Sequence, residues 1–131
     1  MSELNHFSAS GRARMVDVSD KSTTQRVAIA SGVLRMLPDT LTRIQSGKIA
    51  KGDVLTVADV AAVMAAKRTA DLIPMCHSLS LTGVEISFNE ILQQDSSGCV
   101  GLAVTATVKG VGQTGVEMKA LSAVSVALLT V

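Results

Sequence analysis

Tryptophan and tyrosine are missing from this sequence, and Phe7 and Phe88 are its only phenylalanines. A surface that stacks successive bases needs several exposed rings, so a single-strand nucleic-acid platform is excluded. Neither sign of charge dominates: 12 lysines and arginines face 11 acids, for a formal net charge of +1. Wrapping a polyanion requires a marked basic excess, and none is present. Cysteine is scarce as well; Cys76 and Cys99 are too few for a disulfide framework. Polar or charged residues interrupt every apolar run before it reaches the length of a bilayer span. The opening MSELNHFSAS lacks the basic-then-apolar layout of a secretory leader. These features predict reduced thiols and a cytoplasmic protein.

What is abundant is small apolar side chain. Of 131 residues, 47% are hydrophobic, enough for one real core but not for two stable ones, so residues 1–131 are expected to form a single domain. Residues 1–14 read as a loose arm and Arg14–Val18 as a short strand. From Gln25 to Met36, Val27, Ile29, Ser31 and Val33 alternate with Ala28, Ala30, Gly32 and Leu34, a half-buried strand. Pro38 opens a short helix that Gly47 stops. Asp53 is a natural N-cap for a helix to about Thr69, in which Val54, Val57, Val60, Ala61 and Met64 recur at helical spacing. Asp71–Ser78 reads as a loop around Pro74. A strand over Leu79–Leu92, a turn at Asp95–Gly98 and a return strand over Val100–Val108 follow. Gly110–Gly115 breaks the pattern, and a last helix opens near Thr114 or Gly115. It carries Val116, Leu121, Val124, Leu128 and Val131. The order predicts an α+β fold, a ferredoxin-like βαββαβ unit lacking its final strand, with an antiparallel sheet and helices on one face. The last helix has no glycine, cap or basic final turn, so it is expected to continue past Val131.

Three segments hold candidate chemistry. Lys67 and Arg68 close a helix, where cations gain from the macrodipole whatever else they do. Asp71, Cys76 and His77 follow in the adjoining loop, adding a thiol and an imidazole to the fixed positive charge. An anionic substrate that exchanges protons near neutrality calls for that mixture. Zinc is a poor fit, because no second Cys/His pair lies at ligand spacing. A nucleophilic Cys76–His77 pair is weak, since sequence neighbours seldom hold the required geometry. Gly112–Lys119, GQTGVEMK, leaves accessible backbone N–H groups at a helix start; from the local pattern alone Glu117 there reads as a charge–dipole contact. Asp17, Lys21, Thr24 and Arg26 in MVDVSDKSTTQR read either as a solvated turn or as a phosphate-pinning cluster. Lys21, Arg26, Lys51, Lys67 and Arg68 form no run, a distribution suited to a local anion pocket rather than a global field.

MVDVSDKSTTQRVA, GKIAKGDVLTVA, MAAKRTADLIPMCH and TGVEMKALSAVSVALLTV, in that order, resemble the MoaC family of molybdenum cofactor biosynthesis, over about His6 to Val131. The resemblance implies a lyase that converts 3′,8-cyclo-7,8-dihydroguanosine triphosphate to cyclic pyranopterin monophosphate and diphosphate. It also implies no metal or other cofactor, no nucleic-acid or membrane partner, and a homo-oligomer, a hexamer built as a trimer of dimers with sites between subunits. Position by position, it implies that Lys21, Arg26, Lys51 and Lys67 hold the triphosphate. Lys67 and His77, with Lys51, would serve proton transfer, and Glu117 would bind the base edge or act as a base. Asp17 would orient a cation, while Arg68, Met75, Cys76, Met118 and Lys119 would line the substrate.

Three departures accompany the match. Lys119 stands where the family usually has a second acid, and Ser78 where it commonly has proline. The family's Asp and Lys in a Tyr-Asp-Met-type segment would lie beyond Val131. These departures predict impaired turnover, and they keep open a non-catalytic family member that oligomerises and binds nucleotide or partner enzymes. A generic anion-binding module would explain the fold but not the strings.

Overall fold

The computed structural model describes Met15, residues 24–47 and residues 53–131. The expected arm, all of the expected strand at Arg14–Val18 except Met15, and three candidate site residues, Asp17, Lys21 and Lys51, lie outside the described residues. The described chain runs β1 (Thr24–Met36), α1 (Pro38–Ser46), α2 (Val54–Lys67), α3 (Thr69–Leu72), β2 (Ser80–Ile91), β3 (Val100–Gly112) and α4 (Glu117–Thr130). The three strands form one antiparallel sheet in the order β1-β3-β2. This is the expected α+β architecture, with the helices packed against the sheet.

Alternation along the strands decides which face is covered. Ala28 pairs with Val108, Ala30 with Ala106 and Gly32 with Val104, and on the other side Val84, Ile86 and Phe88 pair with the same three β3 residues. These side chains share one face, and α2 and α4 lie over it. The core joins Val104, Ala106 and Val108 of β3 to Ala62 and Ala66 of α2 and to Ala120, Ala123, Val124 and Ala127 of α4. A second cluster at the far end joins Leu41, Val100 and Leu102 to Leu55 and Val131. Leu55 opens α2 and Val131 follows α4, so the two helices run antiparallel. The C-terminus of α2 and the N-terminus of α4 therefore share the end of the sheet where β1 and β2 begin and β3 ends.

Small residues set the spacing. At Gly32, a Cβ would lie 2.9 Å from Val124 Cγ1 and 3.0 Å from Leu128 Cδ1, so β1 and α4 approach as closely as glycine permits. The alanines of α2 and α4 do the same between the helices.

Helix and turn ends follow local chemistry. Asp53 caps α2: Thr56 donates its backbone N–H to Oδ1 (3.2 Å) and its hydroxyl to Oδ2 (2.7 Å). Gly47, at φ 70°, ends α1 with a left-handed cap. In the turn between β2 and β3, Asp95 Oδ1 accepts from the N–H groups of Ser97 and Cys99. The Thr56 hydroxyl and N–H hold the Asp53 carboxyl below its ordinary value, and the Cys99 N–H, then that of Ser97, does the same for Asp95.

The sequence expectation is corrected in four places. The loop over Asp71–Ser78 begins with two helical residues, because Ile73 donates to Thr69 O and Asp71 to Arg68 O, closing the short α3. β3 continues four residues past Val108, through Gly110 and Gly112. Those glycines are ladder positions chosen for space: a Cβ at Gly110 would press on Ser80 O, and one at Gly112 would lie 2.7 Å from Leu79 Cδ2. α4 opens at Glu117 rather than near Thr114 or Gly115. Its buried stripe is Ala120, Ala123, Val124 and Ala127, while Leu121 is exposed. Packing against two neighbours at close range selects the small side chains.

Gly32→Val is expected to lower unfolding stability by about 1–3 kcal/mol through overpacking, measured by chemical denaturation. The two depressed aspartates supply stability that is complete above their ordinary pKa of 3.8 and is lost as pH falls through the lower folded-state values. Asp53→Ala should therefore lower the melting temperature at neutral pH and narrow the gap to wild type at strongly acidic pH, as scanned by thermal melts.

Candidate functional site

The last turn of α2 presents Lys67 and Arg68 because its terminal carbonyls are already engaged. The Arg68 N–H donates to Met64 O and Ala65 O, and the buried Thr69 hydroxyl donates to Ala65 O (2.7 Å) and Ala66 O (3.3 Å). Both cations stay exposed at the negative end of the helix. Thr69 thus locks the junction from which the next loop departs. In the sequence Thr69 marks only the end of a helix, although a threonine hydroxyl commonly back-bonds to the carbonyls of the preceding turn.

From α3 the chain passes through Met75, Cys76 and His77, all half-buried, to the first residue of β2 at Ser80. The Cys76 N–H donates to Ile73 O, and its thiol lies 3.5 Å from His77 O, a weak local contact. Leu79 packs into the space left by Gly112, whose own carbonyl accepts from Arg26 Nε at 3.4 Å. One glycine therefore serves both the entry of the His77 loop and the arginine of β1. Beside it, β2 shifts register between Leu81 and Gly83, so that Thr82 is the extra residue. Bulges of this kind re-aim side chains at the rims of sheets. The alternation of residue types carried no sign of it.

Across this end, Gln113–Val116 leads into α4. Glu117 is exposed and folds its carboxylate back over Gly115, where a Cβ would collide with both carboxylate oxygens. Met118 lines a shallow apolar hollow of about 380 Å³ with Leu72, Ile73, Leu121, Ser122 and Val126, which places α3 against the first turns of α4. Lys119 turns inward and is only 3% exposed.

Arg26, Lys67, Arg68, Met75, Cys76, His77, Glu117, Met118 and Lys119 therefore come from four stretches of chain that lead to one end of the sheet. Asp17, Lys21 and Lys51 lie outside the described residues. The gathered set combines fixed cations, an imidazole, a thiol and a carboxylate, which suits a multiply charged anion with a heterocycle attached.

The MoaC family profile matches residues 15–131. A protein of Brevibacillus brevis is 57% identical over 129 residues, covering 98% of this chain and 77% of its own length. One of Dinoroseobacter shibae is 56% identical over 131 residues, covering 100% and 80%, and one of Desulfitobacterium hafniense is 55% identical over 129 residues, covering 98% and 76%. All three bear the name cyclic pyranopterin monophosphate synthase. With the profile spanning every described element and identity above one half throughout, the chain belongs to the MoaC family.

Proposed function

We infer that this chain is a cyclic pyranopterin monophosphate synthase of molybdenum cofactor biosynthesis, a lyase acting on 3′,8-cyclo-7,8-dihydroguanosine triphosphate. The observation that carries the reading is that relatives of that name match nearly the whole chain at 53–57% identity. Arg26, Lys67, Arg68 and Glu117, motif charges among the described residues, lie on elements that reach the same end of the sheet, which supports it. No helix among the described residues is long and apolar enough to cross a membrane. A cytoplasmic location is proposed with the activity.

In this mechanism Lys21, Arg26, Lys51 and Lys67 hold a triphosphate that carries about four negative charges, so that each ammonium or guanidinium shortens and strengthens its hydrogen bonds. Lys67, at the exposed end of α2, and His77, on the half-buried loop, relay protons while the purine ring opens and the pterin closes. Lys51 assists them. Glu117 accepts from the N–H edge of the base or takes a proton from it. Asp17 orients a cation. Arg68, Met75, Cys76, Met118 and Lys119 surround the substrate. As the diphosphate leaves, the developing charge falls on cations already in place, which lowers the barrier without fresh reorganisation.

The same reading includes assembly as a hexamer, a trimer of dimers with sites between subunits. Support comes from apolar side chains that the fold leaves uncovered. On the open face of the sheet, Val27, Ile29 and Val33 are exposed, Ile29 by 69%. On the outer side of α2, Val57, Val60 and Met64 form a second stripe. A surface of this kind is normally covered by a partner.

Two measurements test the reading. Lys67→Ala should reduce product formation by about 100-fold or more while leaving the melting temperature near wild type, because Lys67 meets the substrate rather than the core. Parallel losses of melting temperature and turnover would remove it from the reaction. Wild-type protein that binds nucleotide but releases no diphosphate would instead favour a non-catalytic family member. Ile29→Glu should dissociate the assembly, read as a fall in mass by light scattering; an unchanged mass would remove the open sheet face from the interface.

A further inference from the structure

Lys119 is the one charged side chain among the described residues that is buried. It lies on the inner stripe of α4, with Val116, Ala120 and Ala123 as buried neighbours along the helix. Three features make its position unusual. Its charge sits in the first turn of a helix, where the macrodipole opposes a cation. Among the described residues it has no ion pair, the single such pair being Arg43 with Asp39 on α1. Nor does it donate a hydrogen bond there, yet no fully buried side-chain nitrogen or oxygen of the described residues lacks a partner. The ammonium of Lys119 therefore keeps some contact with solvent, while nearly all of the side chain is covered.

The direction of that ammonium follows from helix geometry. Cα–Cβ bonds tilt toward a helix N-terminus, and long side chains continue that way. For Lys119 this is the end of the sheet where Lys67, Arg68 and Arg26 also lie. A cation brought to an existing group of cations, against a helix dipole and with little water around it, is stabilised by an anion that enters from solvent.

We propose that Lys119 is a receptor for a phosphate group, donating from the N-terminal turn of α4 to a diphosphate moiety bound at this end of the sheet. The proposal deepens the functional reading above and rests on it for the identity of the natural ligand. It assigns to Lys119 a role in anion binding separate from the base-edge role of Glu117, two residues away and exposed.

The test is binding of inorganic diphosphate to the full chain by titration calorimetry, beside thermal melts without ligand. Lys119→Met keeps the stem and removes the charge; Lys119→Arg keeps the charge. The expected result is diphosphate affinity about tenfold or more weaker in Lys119→Met, with a ligand-free melting temperature at or above wild type, and affinity largely retained in Lys119→Arg. Undiminished affinity in Lys119→Met would overturn the proposal, as would a wild-type chain that does not bind diphosphate. A fall in melting temperature or loss of folding in Lys119→Met, with affinity near wild type in Lys119→Arg and in any folded Lys119→Gln, would assign the lysine to the core and also overturn it. Wild-type protein that binds diphosphate through Lys119 but forms no product would refute the enzymatic reading and leave this one standing.

Discussion

The contact between α2 and α4 is made largely of alanine, and the position of everything chemical depends on it. Ala62 and Ala66 meet Ala120, Ala123 and Ala127 over the β3 residues Val104, Ala106 and Val108. Larger side chains would hold the helices further apart and lift them off the sheet, since interiors packed to crystal density have no slack to absorb a methylene. With the helices close and antiparallel, the last turn of one lies beside the first turn of the other. The cations of Lys67 and Arg68 and the carboxylate of Glu117 are thus neighbours in the fold while some fifty positions apart in the chain, on the order of a whole supersecondary unit.

Helix polarity gives this end its electrostatic character. The C-terminus of α2 is the negative pole and carries two cations; the N-terminus of α4 is the positive pole and carries Glu117. Those three charges agree with the dipoles they sit on. Lys119 disagrees, and it is also the one charged residue among those described that is buried. Local rules are broken most often where a ligand completes the environment, and the disagreement is informative for that reason. Glycine contributes differently here. Gly110, Gly112 and Gly115 make room for Ser80, Leu79 and the Glu117 carboxylate, so that a loop, a strand start and a helix start fit into one corner.

The uncovered surface belongs to the same economy of small side chains. β1 presents alanine and glycine to α4 and therefore carries its bulk, Val27, Ile29 and Val33, on the open face. α2 likewise gives alanine to the interior and Val57, Val60 and Met64 to the outside. A core built from the smaller residues leaves the larger ones uncovered on the surface of the subunit.

Much of the architecture was legible in residue order. Period-two alternation located β1 and β2, Asp53 and Gly47 marked helix ends, and Asp95–Gly98 marked the turn, because caps and turns obey short-range hydrogen bonding. The four family strings point to the MoaC family, and Lys67, His77 and Glu117 are residues that the resemblance proposes for its chemistry. What they could not reveal depends on contacts between distant segments. The glycines of β3 read as a break, because the space they provide is filled by Leu79, Ser80 and Val116 from elsewhere. α4 read as a helix of leucine and valine, whereas close approach to α2 selected its alanines for burial. The register shift at Leu81–Gly83 and the inward turn of Lys119 likewise have no local signature. Sequence alone determined the elements and the kinds of reactive group, since both rest on neighbours within a few residues. Only the tertiary structure decided which elements share an end of the sheet and which lysine is buried, since both depend on how closely two helices and a sheet can pack.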